Sequence, residues 1–475
     1  MLSHHWGVRL AAIAAAAALL SACRTFSPDG GMASVATVAG QGLNKDVLQI
    51  RSAEEAQAAQ SRVTRLLHRP LGADAAVQIA LLNNLGLQAA YNRLGIAEAL
   101  AVQASRPPAL SFAISQVSTP VELDIERQII GSLLSLLTMP ARTKIAADQF
   151  AQAELSAAEE TLRVAAETRR AYVRAVAARQ IVAALGDAKA SADASAKLAG
   201  GLEQTGAVNR LDQARRQIFA TEMEAELTRA SQNVAAARER LTRLMGLMHS
   251  ELDAYLPTAL PQLPKTLRSV GAIEQAAVDR RVDVQIARIE MEVLARSYGL
   301  TRKTHFLNVL DAAGIAKTQK DKGEKRAEGG GFELMLQVPL FDFGKANVRE
   351  AEQRYLEAAN RLGQKGVNAA SEAREAYGAY RATYTIARKY EGEVLPLYQT
   401  IGAETELQYN AMQIDAFALL EAARERARAK VASIEAKRSF WLAANDLSVA
   451  VLGGGIFVSE QDAERVAASS GAAAD

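Results

Sequence analysis

The chain has 475 residues, of which 49% are hydrophobic, 23% charged and only 5% aromatic. That length is ample for a large core, and a net charge of +2 supplies no field to draw nucleic acid or an acidic substrate. One cysteine, Cys23, excludes an intramolecular disulfide framework, and the five histidines lie scattered at 4, 5, 68, 249 and 305 with no carboxylate at ligand spacing. No metal and no other cofactor is expected.

Residues 1–22 read as a secretory signal: a weakly basic start at His4, His5 and Arg9, then an apolar run over 10–20 too short to span a bilayer comfortably. The run ends in Leu20-Ser21-Ala22-Cys23, which resembles a bacterial lipobox. On that resemblance Cys23 becomes the first residue of the mature protein, acylated through a thioether. Arg24 follows it, where an Asp would favour retention at the inner membrane, so the outer membrane is the expected address. Residues 23–70 are expected to be a lipid-anchored linker, flexible around Ser27-Pro28-Asp29-Gly30-Gly31 and then briefly helical. After Cys23 no run of about 20 apolar residues occurs. Whatever crosses a membrane here is not a helix.

The rest divides into two copies of one plan, 71–250 and 270–455, joined by a connection at 251–269 and followed by a tail at 456–475 expected to be disordered. Ala80-Leu81-Leu82-Asn83-Asn84-Leu85-Gly86-Leu87-Gln88 can be laid on Ala277-Val278-Asp279-Arg280-Arg281-Val282-Asp283-Val284-Gln285. Each opens a helix of about 30 residues, ending near Arg106 and near Arg302. Two candidate strands follow in each copy, at 109–118 and 124–137 and then at 305–318 and 331–341. A long helical hairpin closes each copy. Proline is absent between Pro140 and Pro257, and only Pro396 occurs after Pro339. Leu155, Ala158, Leu162, Ala165 and Tyr172 trace a helical stripe, and Glu350–Arg354 and Glu357–Arg361 add i,i+4 pairs. Hairpin arms of roughly 55–60 residues would each reach about 80–90 Å. Their turns are expected near Gly200-Gly201 to Gly206, and near Gly402 to Gln413. Trp441, on the last helix, reads as a packing residue.

The most specific stretch is 332–352. Phe332, Leu334, Leu336 and Val338 alternate with Glu333, Met335 and Gln337, the period of a half-exposed strand. Pro339 ends the ladder, Asp342 offers an N-cap oxygen and Gly344 a permissive backbone. From Lys345 the stripe Val348, Ala351, Tyr355, Ala358, Leu362 has helical spacing. Pro339→Ala is expected to disturb this joint more than any single surface change on the hairpins. Four strands cannot close a barrel, and an open sheet edge is not tolerated in lipid, so other subunits must complete the sheet.

This junction resembles that of the TolC-like outer-membrane efflux family, and with it the resemblance covers about 71–455. It implies a mainly α protein with transmembrane β-structure: a homotrimer in which four strands per protomer make a twelve-stranded outer-membrane barrel on a long periplasmic α-helical tube. It implies a passive exit duct for small molecules such as drugs or metal ions, and not an enzyme. The implied partners are a periplasmic adaptor protein, an inner-membrane efflux pump and outer-membrane lipid. No GxxxxGK[ST] phosphate loop occurs, so energy would come from the pump. The family's acidic ring at the periplasmic tip maps here to Asp212, Asp415 and Glu421, where Asp415 can equally N-cap a returning helix. Arg210 departs from a purely acidic ring. The adaptor would meet Gly206 and the adjoining turns. Two other readings remain: a type I protein-secretion duct, which shares the fold, and a lipid-anchored periplasmic coiled-coil scaffold without a pore.

Overall fold

The computed structural model describes residues 25–68, 70–120, 122–204, 206, 209–248, 256–267, 271–321 and 326–453. Cys23, the expected signal segment and the tail from 456 lie outside them. In chain order come α1 (Met32–Val35), a π-helical turn (Ala36–Gly40), α2 (Gln41–Leu43), α3 (Ala53–Leu67), α4 (Ala73–Asn83) and α5 (Leu85–Ala104). Strands β1 (Ser111–Ser118) and β2 (Glu122–Ser132) follow, then α6 (Leu133–Gln204) and α7 (Arg210–Leu244). The second copy has α8 (Ile273–Arg280), α9 (Val282–Thr304), β3 (Val309–Asp321), β4 (Ala327–Gln337) and α10 (Lys345–Lys389). A π-helical turn (Tyr390–Val394), α11 (Leu395–Asn410) and α12 (Ala416–Leu452) end the described chain. The chain divides into two compact units, one of residues 1–34, 91–157 and 284–365, the other of 35–90, 158–283 and 366–475.

The first unit holds a four-stranded antiparallel sheet in the order β1-β2-β3-β4. Its strands differ from expectation at their ends. The second stops at Ser132, and the run expected to continue it, Leu133 to Leu137, is the start of α6 with Pro140 inside the helix. The paired apolar residues are thus of two kinds, Ile129-Ile130 in the ladder and Leu133-Leu134 in the helix. The fourth begins earlier, at Ala327, because Gly329, Gly330 and Gly331 pair with Lys317, Ala316 and Ile315. Ladder bonds come from the backbone, so glycines read as loop still pair. Near the amino terminus, Ser27 donates its backbone N–H (2.6 Å) and its hydroxyl (2.5 Å) to Glu98 Oε1.

The second unit holds the greater part of the hairpins, from 158 and from 366 onward, and both helix breaks. Each opening helix is in two pieces, broken at Asn84 and at Arg281, positions that coincide when the copies are aligned. Both residues are extended, with ψ of 112° and 127°. In the first copy Asn83 Nδ2 donates to the Met245 and Gly246 carbonyls (3.1 and 2.7 Å), and Asn84 Nδ2 to that of Leu244 (2.8 Å). These carbonyls end α7, where a helix has no internal donors left. In the second copy the buried Arg281 pairs with Asp283 (2.9 Å) and with Glu372.

The stripe expected on α6 is largely inward, with Ala158, Leu162, Ala165 and Tyr172 all buried. The arms are unequal, however: α6 has 72 residues, while the returning arms α7 and α12 have 35 and 37. Gly200, Gly201 and Gly402 lie within helices, and the turns fall at Gly206 (φ 74°) and at Met412 (φ 60°). Just before Pro396, whose ring cannot donate a backbone hydrogen bond, the helix widens into the π turn. The described part of the connection, 256–267, is pinned by Tyr384 Oη to the Pro264 carbonyl (2.9 Å) and by Trp441 Nε1 to that of Pro261 (3.2 Å). The stretch expected to be linker is also packed: Val35, Ala39, Ala59 and Val63 are buried. Gln88 holds it through the Leu48 carbonyl (3.0 Å) and the Ile50 N–H (2.9 Å).

Candidate functional site

Residues directly opposed in an antiparallel ladder share a face. The register puts Phe112, Ile129, Gly314 and Phe332 in one row, with Gly131, Ala312 and Leu334 beside them and Ile114 and Arg127 on the other side. Apart from Arg127, the middle of this face is apolar. It is also bare: Phe112 is 73%, Ile114 77% and Phe332 89% exposed. The opposite face carries Glu122, Asp124, Glu126, Asp311 and Glu333. Lys317 pairs there with Asp124 at 2.7 Å, and Gln319 Nε2 donates to Glu122 at 2.7 Å. β1 and β4 each have one neighbour among the described residues, so each leaves an unpaired edge. A patch of bare aromatic and branched side chains marks a surface that is covered in use.

The joint between β4 and α10 is built as a tight, left-handed turn. Asp342 accepts from the N–H of Gly344 (2.9 Å) and of Ala346 (3.3 Å), so it caps the helix as its sequence position suggests. These bonds, the one from Gly344 foremost, hold its carboxyl below the usual carboxylate range. Phe343 (φ 50°) and Gly344 (φ 71°) are both left-handed. A Cβ on Gly344 would stand 2.0 Å from the His305 carbonyl oxygen. The His305 ring Nδ1 lies 2.6 Å from the Phe343 carbonyl oxygen and donates to it. The ladder stops at Gln337, two residues before Pro339 and short of the expected end at 341, and the Pro339 carbonyl accepts from the Phe343 N–H at 2.9 Å. His305 had no visible role in the sequence, because its partner is 38 residues away.

The tip residues occupy the ends of the returning arms. Asn209 caps α7 by accepting from Asp212 N (2.8 Å), and its amide donates to the Asp212 carboxylate at Oδ2 (2.9 Å), which steadies the capping side chain. Asp415 caps α12, its Oδ1 accepting from Ala418 N at 3.0 Å. Glu421 lies in the second turn of α12, 3.7 Å from Arg424, which also pairs with Glu222 on α7. Arg215 stands 4.6 Å over the Phe417 ring and 3.7 Å from Asp212. Arg215 therefore links the starts of α7 and α12, where Asp415 caps its helix and Asp212 is itself capped by Asn209. Beside them α6, α7 and α12 enclose a groove lined by Ala188, Ala192, Ser195, Arg216, Phe219 and Leu420.

A mainly helical chain whose sheet has one apolar face, one charged face and two open edges defines a class: a subunit that lends strands to a barrel. Among the described residues no helix is long and apolar enough to cross a membrane. Comparison with solved structures makes the class more definite. The chain superposes on the outer-membrane channel CmeC of Campylobacter jejuni with a TM-score of 0.67 at 18% identity, over 84% of this chain and 89% of that one. The outer membrane protein VceC of Vibrio cholerae gives 0.64 at 17%, over 85% and 100%. The MtrE outer membrane channel of Neisseria gonorrhoeae, in its open state, gives 0.67 at 16%, over 83% and 89%. No family model and no curated protein matches the sequence. The chain has the fold of the outer-membrane channels.

Proposed function

We propose that this chain is one protomer of a trimeric exit duct in the outer membrane, a member of the TolC-like efflux family anchored through an acyl group on Cys23. The two-faced, open-edged sheet carries the proposal. Its apolar face suits lipid and its charged face suits water, while its edges need partner strands; three copies would supply twelve strands and leave no edge. A pore-less helical scaffold has no use for such a sheet. The duct would be passive, receiving small molecules such as drugs or metal ions from an inner-membrane pump through a periplasmic adaptor. That adaptor would seat at the hairpin tips around Gly206 and the adjoining groove. Tripled Asp212, Asp415 and Glu421 would put negative potential at the narrow end. The test is planar-bilayer conductance of the purified, lipidated protein, with a heat-sensitive trimer band on gels as the companion measurement. A small conductance from trimeric protein is expected. Folded trimer that carries no current would reject the duct.

A further inference from the structure

Four segments enter or leave the sheet at one end, because the antiparallel order β1-β2-β3-β4 forces them there. Residues 99–110 lead into β1, 133–147 leave β2, 297–308 lead into β3 and 338–348 leave β4. Over the whole chain bases and acids nearly balance, 55 to 53. In these four segments they do not. Arg106, Arg142, Lys144, Arg302, Lys303 and Lys345 face a single acid, Asp342, whose carboxylate is already engaged by the backbone of its own turn. All six bases are exposed and none has an acidic partner at salt-bridge distance among the described residues; Lys345 alone feels a nearby acid, helping to hold the Asp342 carboxyl low. Arg302 lies instead 5.7 Å from the centre of the Tyr298 ring.

Apolar side chains stand in the same four segments. Leu137, Phe306, Leu340 and Phe341 are all exposed, and Leu110 reaches to within 3.0 Å of where a Cβ on Gly131 would stand, extending the apolar face of the sheet. A surface that pairs bare hydrophobes with uncompensated cations, directly below an apolar sheet face, matches the boundary of a bilayer. The strand lengths agree: β2 and β4 have 11 residues each, about 36 Å along the strand and about 25 Å in height when tilted as barrel strands are. The collar thus falls where acyl chains give way to headgroups. Long basic side chains reach phosphate oxygens from that depth, and a guanidinium can meet a phosphate with two bonds.

We propose that this collar binds the anionic phospholipid headgroups of the leaflet on the helical side of the sheet. The proposal rests on the membrane insertion argued above. It adds a lipid class and names the residues that select it.

The test uses the full-length protein in lipid discs of phosphatidylethanolamine, with and without phosphatidylglycerol, and measures which lipid stays with the protein on extraction. The comparison is with Arg142→Gln/Lys144→Gln/Arg302→Gln/Lys303→Gln, and with the charge-keeping Lys144→Arg/Lys303→Arg as a folding control. Wild type and the control are expected to retain phosphatidylglycerol preferentially. The four-fold variant is expected to lose that preference by at least about fivefold, the effect of a single basic residue at a charged membrane surface. Equal preference in all three proteins would overturn the collar. So would a fall in trimer yield of the variant in phosphatidylethanolamine alone, since the cations would then serve a subunit contact. Insertion without lipid preference sinks the collar only; failure to insert in either lipid sinks the membrane reading and the collar together.

Discussion

At the scale of single residues the strand-to-helix joint depends on Gly344 more than on Pro339. Gly344 is held left-handed, and its α-carbon packs against the His305 carbonyl so closely that a methyl group would stand 2.0 Å from that oxygen. Backbone on both sides resists moving apart. Gly344→Ala should therefore cost about 3 kcal/mol, summing the left-handed penalty and the clash. Gly330→Ala is the matched control, because its nearest neighbour would be an ordinary 3.8 Å away. Thermal unfolding of the detergent-solubilised protein should separate the two variants clearly; equal midpoints would remove the joint's special status. Pro339→Ala, which the sequence ranks above any single surface change on the hairpins, should be milder than Gly344→Ala, since the carbonyl that Pro339 offers to Phe343 is available from any residue. Asp342 gives the joint a pH dependence. Its folded carboxyl is held below the ordinary value by the Gly344 and Ala346 N–H groups. That stabilisation is present above the unfolded value and is lost as pH falls through the lower folded one, below about pH 4. Asp342→Asn should remove this part of the acid unfolding, seen as a flatter midpoint-versus-pH curve in that range. A curve identical to wild type would mean that the carboxylate has no such role.

At the scale of elements the duplication is visible in how the helices break. Asn84 and Arg281 occupy the same aligned position, and each is met by the end of a hairpin or its neighbour: Gly246 (φ 67°) packs on Asn83, Gly453 (φ 90°) on Val282. The two copies solve one packing problem with different chemistry, side-chain amides in the first and a buried guanidinium in the second. Removing a buried partner strands the others, so Arg281→Ala should cost about 3 kcal/mol and Asn84→Ala about 1 kcal/mol. Urea unfolding followed by circular dichroism checks the order; a larger loss at Asn84 would contradict it. The sequence disclosed the repeat, the four strands and the long hairpins because each writes a period: two for β4, a helical stripe for α6 and α10. The breaks at Asn84 and Arg281 were not legible, since both are set by contacts 90 or more residues away. The strand run Gly329-Gly330-Gly331 was equally hidden, because glycine pairs through its backbone while its composition signals a loop. In residues 25–68 Val35, Ala39, Ala59 and Val63 are buried while Phe26 stays exposed, and the packing was hidden because the segment is held by distant partners such as Gln88 on Leu48 and Ile50.

At the scale of the whole molecule the proposed duct would close the open sheet with strands of other copies and would bring the tip carboxylates of several copies together. Here the structure sharpens what the sequence left open, because capping and charge can be separated by substitution. Asp212 sits 3.7 Å from Arg215 and Glu421 3.7 Å from Arg424, so each is partly neutralised by its own helix. Asp415 has no basic partner at salt-bridge distance among the described residues. Its oxygen caps α12, a role an asparagine performs as well. Asp415→Asn should therefore keep the fold and the cap while deleting the least compensated charge of the three. Asp415→Ala deletes both and should lose about 1 kcal/mol of stability besides. In a bilayer with a salt gradient, Asp415→Asn should shift the reversal potential away from cation preference, with Asp212→Asn and Glu421→Gln shifting it less. If Asp415→Asn leaves the potential unchanged while Asp415→Ala lowers stability, the carboxylate is a cap alone and the narrow end draws its charge from elsewhere. A shift that is largest at Glu421 would place the constriction nearly two helical turns further into α12, away from the caps and towards the groove beside Phe219 and Leu420.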